Sequence, residues 1–123
     1  MLKEQALNTF WNSFGLPAYD ENTIPDDVQM PYITYEVQTG RLEDRILLTA
    51  DLWYRSQSWS EITQKATEIG RAIVEMTPPT IKFDAGRLYL YLASPYLRRG
   101  GEPDDPGIRR ITLEVQAEFL SNY

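Results

Sequence analysis

The chain has 123 residues, 42% of them apolar, enough for one packed core and too many for global disorder. Its net charge of −6 disfavours generic binding to phosphate backbones, and no apolar run approaches the roughly 20 residues that span a bilayer. With no cysteine and no histidine, it excludes disulfides, thiolate chemistry, Cys-ligated zinc and an imidazole base.

Met1-Leu2-Lys3-Glu4-Gln5 lacks the basic-then-apolar pattern of a secretory signal, so folding in the cytoplasm is the expectation. Leu7, Phe10, Trp11 and Phe14 follow the spacing of one helical face, predicting a helix from about Leu2 to Phe14. Gly15 and Pro17 end it. The segment from Leu16 to Met30 carries prolines, acids and Asn without periodicity, and reads as a mobile surface loop pinned by Tyr19 and Ile24.

Pro31 precedes Tyr32-Ile33-Thr34-Tyr35-Glu36-Val37, a β-branched and aromatic strand. A polar turn near residues 39–44 leads into an alternating strand from Ile46 to Arg55, and the two runs are expected to form an antiparallel hairpin. Ser58-Trp59-Ser60-Glu61 has the form of a capping box. Ile62, Ala66, Ile69, Ile73 and Met76 then make a helical stripe, which Pro78-Pro79 terminates. Ile81–Phe83 and Leu88–Leu92 flank a turn at Asp84-Ala85-Gly86. The stretch 94–107, rich in Pro, Gly, Arg and Asp, reads as a second mobile loop. Ile111, Leu113, Val115, Ala117 and Phe119 close the chain as a strand with one buried face.

The expected fold is a single α+β domain over residues 1–123, in the order α-β-β-α-β-β-β. About five antiparallel strands would carry both helices on one face. No catalytic, cofactor-binding or metal-binding set emerges. Gly100-Gly101 lacks the further glycines and following helix of a phosphate loop. The acid pairs Asp26-Asp27, Glu43-Asp44 and Asp104-Asp105 are adjacent in loops, whereas carboxylate chemistry needs groups that converge from different elements.

The aromatic residues point to protein contacts. Alternation places Tyr89 and Tyr91 on one side of their strand, and Trp53 opposite Leu48 and Leu52. Leu47 and Trp53 therefore need cover on the face away from the helices, from a neighbouring subunit or from the Leu16–Met30 segment. Tyr, Trp and Arg are enriched in protein interfaces. Arg98-Arg99 and Arg109-Arg110, with Glu102, Asp104 and Asp105 between them, read as a polar protein contact.

Three segments carry a likeness to a known family: Phe14-Gly15-Leu16-Pro17-Ala18-Tyr19, Met30-Pro31-Tyr32-Ile33-Thr34-Tyr35-Glu36, and Leu52-Trp53-Tyr54-Arg55-Ser56 leading into Ser58-Trp59. With the order of elements, they give a chain that resembles the tail-terminator or head–tail neck proteins of long-tailed bacteriophages and prophages. The resemblance implies a non-enzymatic virion subunit without cofactors. It would form a ring, commonly a hexamer, joining the tail tube to the head connector after assembly in the bacterial cytoplasm. Interface candidates are Arg41, Arg45, Trp53, Tyr89, Tyr91, Arg98, Arg99, Asp104 and Asp105. Other neck or minor tail components, a small carboxylate enzyme and an acidic regulator are the alternatives. No membrane and no specific nucleic acid are expected as partners.

Overall fold

The computed structural model describes residues 1–38, 45–76, 78–102 and 104–121. The chain order is α1 (Lys3–Asn12), β1 (Ala18–Asp20), β2 (Tyr32–Tyr35), β3 (Arg45–Arg55), α2 (Ser60–Glu75), β4 (Thr80–Phe83), β5 (Gly86–Glu102) and β6 (Asp105–Ser121). The strands form one curled, half-barrel sheet in the order β1-β2-β3-β6-β5-β4.

Both helices form where the apolar spacing places them. Ala6, Leu7 and Trp11 of α1 are buried, with Phe10 and Phe14 packed against the core. The Leu2 N–H donates to Gln5 Oε1 at 2.9 Å, which satisfies a first-turn amide. Ser13 turns back to the Phe10 carbonyl and Gly15 takes a φ of 86°, a conformation that costs glycine little. In α2 the stripe Ile62, Ala66, Ile69 and Ile73 is buried. The expected capping box does not form. The helix starts at Ser60, so Ser58 lies one residue too early, and its hydroxyl accepts the Ser60 N–H at 3.0 Å instead.

The sheet differs from the expected one in three ways. It has six strands rather than five, it is mixed, and its longest pair occupies the stretch read as a loop. The extra strand, β1, lies inside the Leu16–Met30 segment and pairs parallel to β2 through Ala18↔Ile33 and Asp20↔Tyr35. Three residues are too short to show a period. A tertiary clamp holds them instead: Asn12 accepts the Ala18 N–H at 3.0 Å, and Asn8 and Asn12 both donate to the Ala18 carbonyl. Tyr19 does pin the segment, edge-on to Tyr32 at 6.2 Å. Ile24 does not; it is 38% exposed.

The stretch 94–107 is not a loop. β5 and β6 are 17 residues each and pair antiparallel almost to the turn, with Gly101↔Arg109 and Glu102↔Asp105. A register shift between Leu92 and Leu97 absorbs Pro95, because an irregularity is where a strand tolerates a residue lacking its N–H. The antiparallel pairings of β2 with β3 and of β4 with β5 are as expected, in registers Tyr32↔Trp53 and Ile81↔Leu88, while the turn expected near residues 39–44 lies outside the described residues.

Alternation then sorts the side chains. Ile33, Leu52, Ile111, Leu113, Val115 and Leu88 face the helices and are essentially inaccessible. Each such side chain contributes on the order of 1.5–3 kcal/mol by leaving water. The opposite, outer face carries Tyr32, Trp53, Arg110, Arg98, Tyr89 and Tyr91.

Candidate functional site

Two clusters on the outer face and one at the start of α2 collect the residues suited to recognition. The first runs across three strands. Trp53 stacks on Tyr32 at 6.2 Å, its Nε1–H donates to Thr34 Oγ1 at 2.9 Å, and the Arg110 guanidinium lies 5.3 Å from its ring. Glycine at position 100 makes this possible: a Cβ there would meet the Arg110 guanidinium at 3.0 Å. Arg110 also reaches Glu102 at 3.5 Å. The sheet's own aromatic and guanidinium groups therefore cover Trp53. Leu47, by contrast, remains 42% exposed, so the Leu16–Met30 segment does not supply its cover.

The second cluster joins Arg45, Tyr89 and Tyr91. The tyrosine rings lie 5.8 Å apart, and the Arg45 guanidinium sits 4.2 Å from the Tyr91 ring. Both phenols are half-buried on the outer face, where strand alternation placed them. Arg41 lies outside the described residues.

The third cluster was not legible in the sequence. Trp59, at the start of α2, is flanked by Arg99 of β5 at 4.7 Å and Arg109 of β6 at 5.2 Å. Both arginines lie on the helix-facing side of the sheet, since Arg99 pairs with buried Ile111 and Arg109 with buried Tyr54. Arg109 is held by the Pro106 and Gln57 carbonyls at 2.6 and 3.2 Å. Arg99 donates no hydrogen bond among the described residues, so its guanidinium is available to an outside acceptor. With the Gly100-Gly101 backbone these groups line a concavity of about 520 Å³. A signal for it existed. Closing a hairpin near residue 104 puts Arg99 and Arg109 on one face, a relation that reading 94–107 as a loop conceals.

Of the remaining candidates, Arg98 and Asp105 have structural partners. Arg98 is bound to Glu114 at 2.8 Å on the outer face. Asp105 sits at the hairpin turn, where it accepts the Gly107 N–H and an Arg55 donor, both at 3.0 Å. The Gly107 amide first, and Arg55 second, hold its carboxyl below the ordinary value. Asp104 is exposed at the same turn. The eight candidates among the described residues thus do not converge on one site. Arg45, Tyr89 and Tyr91 meet, Trp53 stands apart, and Arg98 and Arg99 point to opposite faces.

This geometry defines a small α+β protein built on a half-barrel sheet, with a long hairpin and surfaces rich in Arg, Trp and Tyr. Its fold is similar to that of a chain in the virion of a native gene transfer agent particle. The TM-score is 0.62 and the identity 16%, over 94% of this chain and 90% of that one. No family model and no curated protein sequence matches the chain.

Proposed function

We propose that this chain is a non-enzymatic structural subunit of a phage-type virion. It assembles into a homo-oligomeric ring of six at the end of the tail, and joins the tail tube to the head connector. The observation that supports this reading most is the end-to-end likeness to a chain of a gene transfer agent virion, a phage-like particle. The sequence resemblance to tail terminators points the same way and rests on different information. The surface chemistry also fits: the concavity beside Trp59 presents arginine, aromatic ring and bare backbone, and its carboxylate, Glu102, is engaged by Arg110. Such groups recognise another protein rather than turn over a substrate.

The test is the mass of the purified protein by light scattering across a concentration series, with electron microscopy in the presence of tail tubes. Six-membered rings, free or capping tubes, are the expected result. A chain that stays monomeric and ignores tubes and connectors at high concentration overturns the reading.

A further inference from the structure

The charges of this chain are segregated in a way its net value hides. From Glu4 to Gly40 there is no lysine or arginine at all, while Glu4, Asp20, Glu21, Asp26, Asp27 and Glu36 fall in that interval. The fold gathers Asp20, Glu21 and Glu36 at the β1 edge of the sheet, with Asp51 of β3 beside them. There Glu21 has its carboxyl raised, by desolvation first and then by the charges of Glu36, Asp51 and Asp20. The loop leaving β1 is shaped by its own backbone. Asp20 accepts the Asn22 and Thr23 N–H groups at 2.9 Å, and beyond that turn Ile24 stands 38% exposed between the two pairs of acids.

The opposite side of the sheet has the complementary composition. Arg99 and Arg109 flank the Trp59 ring, and the concavity beside them is open to solvent. An apolar side chain between carboxylates on one side thus faces outward, as does an aromatic ring between guanidiniums on the other. Within one chain the two sites lie apart: β2 and β3 separate β1 from β6, which bears Arg109, and β6 separates these from β5, which bears Arg99, roughly 14 and 19 Å at about 4.8 Å per strand.

We propose that the occupant of the Trp59–Arg99–Arg109 concavity is the 20–27 loop of a second copy of this chain. Ile24 lies against the indole, and Asp26 and Asp27 lie against the arginines. Because the two surfaces are different and lie on different strands, one at the β1 edge and the other on β5 and β6, the contact is head-to-tail, the kind that propagates from subunit to subunit and closes when the rotation permits. The inference deepens the ring reading above and takes its choice of partner from it. The contact weakens as salt screens the exposed pairs.

The experiment uses charge reversal at residues that make no hydrogen bond or ion pair among the described residues. Arg99→Glu reverses one surface, and Asp26→Lys with Asp27→Lys reverses the other; Ile24→Ser removes the apolar element. Self-association is read by analytical ultracentrifugation, with circular dichroism confirming that each variant is folded. Each reversal is expected to weaken association about 30-fold or more. An equimolar mixture of the two reversal variants is expected to form heterodimers where neither variant associates alone, since the native loop of one meets the native concavity of the other.

Wild-type rings that persist unchanged in both reversal variants overturn this contact and leave the ring reading standing. Charge-dependent association that yields open chains rather than closed rings supports the contact and overturns the ring. A wild-type chain that stays monomeric at every concentration, with and without tail tubes, overturns both.

Discussion

The Tyr96 hydroxyl donates to the Ala66 carbonyl at 3.0 Å, fastening the irregular middle of β5 to the second turn of α2. Burial raises the phenol well above its ordinary pKa, so it stays a donor throughout the range in which the protein is handled. The contact requires glycine one helical turn further on. A Cβ at Gly70 would lie 2.8 Å from Tyr96 Cε2.

Gly70→Ala is therefore expected to destabilise the protein by about 1 kcal/mol net. Overpacking of roughly 1–3 kcal/mol exceeds the roughly 1 kcal/mol that alanine contributes in a helix. In a Tyr96→Ala background the sign reverses, because only the helix term remains. Urea denaturation of the four proteins in this cycle measures both numbers. A Gly70→Ala substitution that stabilises the parent chain contradicts the packing argument.

Gly86 meets a harder obstacle. A Cβ there would lie 2.1 Å from the Leu120 carbonyl oxygen, which is backbone and cannot rotate away. Gly86→Ala is expected to cost on the order of 3 kcal/mol. Gly101→Ala is the control: nothing lies within 4 Å of the place its methyl group would take, and the effect stays within about 0.5 kcal/mol. Thermal denaturation separates the two.

On the outer face, Thr34→Val leaves the Trp53 indole N–H without its acceptor. The expected loss is about 1 kcal/mol, at the low end for an orphaned donor, because Trp53 is only half-buried and water can reach it. Trp53→Phe added to Thr34→Val then costs less than Trp53→Phe alone. A double-mutant cycle with no coupling contradicts the assignment of this bond.

The hairpin turn is expected to be acid-sensitive. Asp105 has a folded-state pKa below its ordinary value of 3.8, so its contribution is present above that value and is lost as pH falls through the folded one. Amide exchange at Gly107 reports this directly, with protection present near pH 6 and declining as pH falls below 3.8 toward the folded-state value. Asp105→Ala removes the protection already at the higher pH, whereas Asp105→Asn keeps the Gly107 bond and loses the Arg55 pair.

The sequence was most informative where burial is periodic. The α2 stripe, the alternation of β3 and β6, and the sides on which Trp53, Tyr89 and Tyr91 emerge all follow from spacings of 3.6 and 2, which a chain displays without knowing its partners. The missing histidine and cysteine limit the chemistry for the same reason: composition needs no fold.

Three features were decided only in three dimensions. β1 exists because Asn8 and Asn12 of α1 clamp Ala18, a bond set between residues whose own preferences are for caps and turns. The distal halves of β5 and β6 are strands despite Pro95, Gly100 and Gly101, because β6 is already held by β3 through Arg55↔Ile108 and templates its partner. Once that hairpin closes, Trp59, Arg99 and Arg109 meet, from elements 40 residues apart in the chain. Local residue types determined this protein's core faces and its lack of imidazole and thiol chemistry. Strand pairing across long sequence separations determined where its arginines and aromatics converge, because contacts between distant segments depend on the assembled sheet and leave no period to read.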